Sequence, residues 1–147
     1  MRKLILILLL VSPLHGVPIA QSPFIQAVYE GNKPQIEFLL KTGSKADEID
    51  PRTGKTALMI AAETGHVDVV ELLLANRALI NATHPITGES ALTLAVRKGH
   101  GDVVAMLLAK GANIKLTLKN SRDTAYDIAF KEGYRDILNM LEKPDRQ

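Results

Sequence analysis

The chain has 147 residues, with 18 Lys and Arg against 16 Asp and Glu, no cysteine, no tryptophan and 4% aromatic residues. So small an excess of positive charge argues against nucleic acid as a partner, because non-specific affinity for it comes from clustered Lys and Arg meeting phosphates. The missing cysteine excludes disulfides and a lipid anchor on a modified Cys, and the scarcity of aromatics argues against a rich apolar ligand pocket.

Met1-Arg2-Lys3 is a basic start, Leu4 to Val11 is an unbroken apolar run of eight, and the small residues Gly16 and Ala20 follow. This is the pattern of a secretory signal segment. The run falls short of the roughly 20 apolar residues that span a bilayer, and extending it to Ala20 would take in Ser12, Pro13, His15 and Pro18. Residues 1–20 are therefore expected to form a signal segment cut after Ala20, with Gly16 as a second cleavage position and retention as a membrane anchor as the alternative. Cleavage suits the next segment better, because Ser22 already caps a helix and an anchored form would hold that helix hard against the membrane. Without Arg2 and Lys3, 16 basic residues face 16 acidic ones. An exported chain with balanced charge, no cysteine and no stable membrane insertion after cleavage fits a bacterial periplasm or the medium.

From Ser22 the chain repeats itself every 34 residues. Thr53–His66 reads TGKTALMIAAETGH and Thr87–His100 reads TGESALTLAVRKGH. Stepping by the same interval aligns Ala27, Ala61, Ala95 and Ala129, then Gly31, Gly65, Gly99 and Gly133, then Leu39, Leu73, Leu107 and Leu141. Such a fixed period is the mark of stacked repeats. Four units result, 22–55, 56–89, 90–123 and 124–143, in a repeat domain 21–143 with a tail at 144–147.

In the first unit Ser22 is the N-cap and Pro23 the first helical residue, a place where no N–H bond is lost. Gly31 ends that helix, and Gly43 closes the second. In the next unit Thr56 caps a helix carrying Leu58, Ile60, Ala61 and Ala62, and Gly65 turns the chain. A second helix runs from about Val67 to Ala75, its stripe formed by Val67, Val70, Leu73 and Leu74, with Asp68 favourably placed in the first turn. Arg77 stands where Gly43 and Gly111 close the corresponding helices, a departure that costs stability. Ser90 and Thr124 cap the third and fourth units. The expected fold is all-α, a solenoid of four stacked helix-turn-helix units with short hairpin loops. One unit cannot bury its apolar face alone, so Leu73 and Leu107 of the middle units should be among the most buried residues.

The pattern T-A-L-x-x-A-A-x-x-G-H-x-D-V-V-x-L-L-L-A, followed by A-L-I-N-A, resembles the ankyrin repeat from Ser22 to about Glu142. Units of that family more often run 33 residues, which places the extra residue in the hairpin loop, at DPRTG and HPITG. The family's T-P-L-H has become Thr56-Ala57-Leu58-Met59 and Ser90-Ala91-Leu92-Thr93, so the bonds of that histidine are absent. In the last unit Arg122 replaces the turn Gly, Tyr126 the Leu, and Glu142 the last Leu of the triplet, and these look like capping changes.

The resemblance implies a protein-binding concave surface of hairpin tips and the exposed side of the first helices. Carried over residue by residue, it falls on Tyr29 and Glu30 in unit one and on Arg52, Thr53, Lys55, Glu63 and Thr64 in unit two. In unit three it falls on Ile86, Thr87, Glu89, Arg97 and Lys98, and in unit four on Asn120, Ser121, Asp123, Lys131 and Glu132. Tyr29, Arg52, Ile86 and Arg97 are the expected anchors, since Tyr and Arg dominate interface hot spots.

Catalytic and cofactor chemistry finds no support in the residues. His66 and His100 are repeat-equivalent, the next equivalent is Tyr134, and no further ligand joins them to make a metal site. They are expected to serve the turn between helices. Ser90 has no nucleophile elbow and reads as a cap. Thr53-Gly54-Lys55-Thr56 resembles the tail of a phosphate loop, but the earlier Gly of that motif would fall at Ile49. The function expected is that of a non-enzymatic, monomeric scaffold or accessory module for an unidentified protein partner. The alternatives are a carrier of a small ligand or an effector acting on a host target.

Overall fold

The computed structural model describes residues 20–143, so the expected signal segment and the 144–147 tail lie outside it, apart from Ala20. All helices among these residues come in pairs: α1 Pro23–Glu30 and α2 Lys33–Lys41, α3 Ala57–Thr64 and α4 Val67–Ala75, α5 Ala91–Arg97 and α6 Gly101–Ala109, α7 Ala125–Glu132 and α8 Arg135–Glu142. There are no strands among them, only isolated bridges, Ile49 with Thr56 and Thr83 with Ser90, which close the bases of the first two hairpin loops.

Local chemistry sets the ends of these helices. Ser22, Thr56, Ser90 and Thr124 each accept the backbone N–H three residues on, removing one orphan donor from a first helix. Where the family histidine is missing, two units use a different device. Thr93 and Asp127 bond back to the backbone N–H of Ser90 and Thr124, at 2.8 Å in both cases, completing capping boxes. Met59, at the same register position, is instead buried in the core.

The first helices α1, α3, α5 and α7 lie side by side in one row, and α2, α4, α6 and α8 form a second row behind them. Leu73 and Leu107 are fully buried between units. Register positions also show which way each side chain faces. Ile60, Leu94 and Ile128 are buried against the preceding unit, and their counterpart in the first unit is the exposed Gln26. Val69, Val103 and Ile137 follow the same rule, with Gln35 exposed at the front of the stack. At the other end Tyr126 and Phe130 occupy positions that are buried in the three preceding units. The Tyr126 hydroxyl donates to Glu142 Oε1 at 3.1 Å, so two of the three departures noted in the last unit are partners.

Neighbouring units are also tied by hydrogen bonds. The His66 ring crosses to the carbonyl of Tyr29 (Nε2–O 3.2 Å), and the His100 ring to that of Glu63 (2.9 Å). Both carbonyls lie at the end of a first helix, where they lack an intrahelical partner. Each ring lies over a helix-ending glycine: a Cβ on Gly31 would come within 2.6 Å of His66, and one on Gly65 within 2.9 Å of His100. Tyr134 packs over Gly99 in the same way. In the segments between the second helices and the hairpins, Asp47 accepts the Leu79 N–H at 2.7 Å and Asn81 the Asn113 N–H at 2.8 Å.

Arg77 adopts φ 67° and Arg122 φ 60°, the left-handed backbone of the glycines they replace. For a non-glycine residue this costs about 1–2 kcal/mol. The helix end at Arg77 keeps the bonds made at Gly43 and Gly111: its N–H bonds Leu74 O and the Ala78 N–H bonds Leu73 O, with the Asn76 side-chain amide bonding Leu72 O at 2.8 Å.

Candidate functional site

The hairpin tips and the last turns of the first helices share one edge of the stack, because in units two to four the residue before the N-cap meets the residue eight further on. In unit two Lys55 Nζ lies 2.6 Å from Glu63 Oε2. In unit three the signs reverse, Arg97 pairing with Glu89, and in unit four Lys131 bonds both carboxylate oxygens of Asp123, at 2.7 and 2.8 Å. Six of the residues expected to meet a partner therefore hold one another first. Glu89 is buried beneath Arg97 and Thr87, whose hydroxyl donates to its other oxygen at 3.0 Å.

In the corresponding place in unit one Tyr29 turns to the first hairpin, donating to Asp50 Oδ2 at 3.0 Å. Asp50 is fully buried and also receives the Arg52 backbone N–H at 3.0 Å and the Arg52 guanidinium at 3.3 Å. Burial pushes the Asp50 carboxyl up, but the bonds from Arg52 and Tyr29 outweigh it and hold the carboxyl below the usual carboxylate range. Burial and the bond to Asp50 raise the Tyr29 phenol. The Lys131 bond, helped by Ser121, holds Asp123 below its ordinary value. Two expected anchors, Tyr29 and Arg52, are thus joined through a carboxylate that the sequence reading passed over. Its signal was available: an Asp two residues before an Arg, opening a turn.

Ile86 stands apart. It is 74% exposed at the tip of the second hairpin. Thr53 and Lys98 are also exposed. Between the second and third hairpins, Thr87, Glu89, Arg97, Leu118, Asn120 and Ser121 line an open hollow of about 210 Å³, below the roughly 300–1,000 Å³ of small-molecule pockets. Hollows of about 520 and 500 Å³ lie elsewhere, one beside α2 and α4, the other around Tyr134. Among the described residues no group of three or more His, Asp or Glu is placed to hold a metal ion, and no helix is long and apolar enough to cross a membrane.

The family model for ankyrin repeats, in three copies, matches residues 4–84 and 77–146. The chain belongs to the ankyrin repeat family. No curated protein matches it. Ankyrin repeats generally serve as protein interaction modules, and on the edge that carries the three ion pairs Arg52, Ile86 and Asn120 occupy one register position of successive ankyrin units.

Proposed function

We propose that the chain is a non-enzymatic binding module which, after export as a periplasmic or secreted scaffold or accessory protein, grips a protein partner as a monomer along its hairpin tips and first-helix ends. The observation that carries this reading is a contrast within one register. Buried positions and caps recur from unit to unit, whereas Arg52, Ile86 and Asn120 share one register position, differ in chemistry and all face solvent. Stacking requires sameness, and specificity requires difference. Ile86 is the apolar anchor, since burying one such side chain gains about 1.5–3 kcal/mol. The ion pairs around it form a rim whose side chains are already ordered, which lowers the entropy lost on binding. Export rests on the basic and apolar pattern of residues 1–20.

Arg52 and Arg97 are poor choices for testing this face, because removing them uncovers the buried carboxylates of Asp50 and Glu89. Ile86→Asp leaves no buried group unpaired. Affinity capture from the exported fraction should lose its stoichiometric protein partner with Ile86→Asp at unchanged melting temperature, and should keep it with Glu71→Lys on the second row. Equal capture by the Ile86 variant and the wild type would refute the assignment. The intact mass of the exported protein tests the leader: loss of residues 1–20 or 1–16 is expected, and a full-length mass confined to the cytoplasm would contradict export.

A further inference from the structure

One register position in the three hairpins carries three different residues, Asp50, His84 and Leu118. The His84 side chain is buried, and each ring nitrogen has a defined neighbour. Nδ1 receives two backbone N–H groups from its own tip, those of Ile86 at 3.3 Å and Thr87 at 3.2 Å. Nε2 lies 2.9 Å from the carbonyl of Thr53, in the preceding hairpin. A backbone N–H only donates and a carbonyl only accepts. The ring therefore fits in one form, neutral, with Nδ1 bare and the proton on Nε2.

The clamp reaches both neighbouring hairpins. The ring fills the space over Gly54, where a Cβ would come within 2.9 Å of Nε2. On the other side Thr87 O accepts the Lys119 N–H at 2.9 Å. The base of the hairpin is closed by His84 N–H to Glu89 O at 2.7 Å and Gly88 N–H to His84 O at 2.9 Å. Between these fixed points stands Ile86, with its backbone N–H held inward and its side chain outward.

We propose that His84 is the positioning residue of the binding face: its Nε2–H tautomer fixes the backbone of the second hairpin tip so that Ile86 is presented to a partner. The inference rests on the reading of Ile86 as the anchor. An acceptor at this register position is a recurring device, since Asp50 takes the Arg52 N–H in the same way. Leu118 offers no side-chain acceptor, and its hairpin presents Asn120 and Ser121 where the second presents Ile86 and Thr87.

Nitrogen-15 NMR of the ring in the wild-type protein should show the neutral Nε2–H tautomer, and the Nδ1–H tautomer would overturn the proposal without any variant being made. In His84→Leu, hydrogen exchange at the Ile86 and Thr87 amides should rise by about tenfold or more while the Ile60 and Leu94 amides keep their protection. His84→Asn, which restores an acceptor as Asp50 supplies one, should recover most of that protection at Ile86. Unchanged exchange in the Leu variant, or no recovery in the Asn variant, refutes the positioning role. If exchange follows this pattern but Ile86→Asp still captures the partner, the positioning of the tip stands and the reading of Ile86 as the anchor falls.

Discussion

The two ends of the stack are closed by different chemistry on the same backbone. At the front, glutamines 26 and 35 take positions that hold Ile or Leu, and Val or Ile, in the units behind. At the back, Tyr126 is bonded to Glu142 and Phe130 is 69% exposed, where Val28, Ala62 and Val96 are covered by the unit that follows each of them. A repeat array ends where a side chain that would face the next unit can face water instead. Amides do this fully. An aromatic ring with one hydroxyl bonded to a carboxylate does it in part.

The comparison of interior with ends is sharpened first by truncating one leucine position along the stack. Leu73→Ala and Leu107→Ala, both fully buried, should each cost about 2–5 kcal/mol in denaturant unfolding, and Leu39→Ala, half-buried in the first unit, clearly less. Equal costs would mean that the units do not lean on one another as described. A polar exchange tests the same contrast. Val69→Gln, which buries an amide without a partner, should cost about 2–4 kcal/mol, whereas Gln35→Ala at the same register position should stay within about 0.5 kcal/mol. His66→Ala and His100→Ala each remove one tie between units and should cost about 1 kcal/mol. Tyr126→Phe, at the exposed end, should change stability by no more than a few tenths of a kcal/mol.

Acid gives a further test near the front hairpin. Because the Asp50 carboxyl is held below its ordinary value, its folded pKa lies under its unfolded one. The stabilisation is complete above about pH 4 and fades as pH falls through the folded pKa. Melting curves of the wild type and Asp50→Asn should differ at neutral pH and converge on acidification. A gap that widened in acid would contradict the bonding at Asp50.

Much of the fold is legible in the amino-acid order because a 34-residue period with caps and glycines at fixed offsets leaves few alternatives. The second helix of unit two runs from Val67 to Ala75, as its stripe predicts, and Thr56, Ser90 and Thr124 cap as expected. His66 and His100 stand in the turns between helices, but neither side chain caps the helix that follows; each ring bonds the preceding unit instead, a contact that no local pattern reveals. The ion pairs were visible as opposite charges eight apart in three consecutive units. Reading them needed the geometry that folds a hairpin back over its own helix. The same reason hid Asp50 and His84, each of which has one partner in another element, Tyr29 and Thr53, beside those in its own hairpin, and both of which are buried.

A photo-crosslinking amino acid introduced one position at a time tests the proposed binding edge most directly. Probes at 53, 86 and 98 should each give an adduct with the same partner protein, while probes at 37 and 71 on the second row give none. Adducts arising from 37 and 71 but not from 86 would place the partner on the opposite face and contradict the account.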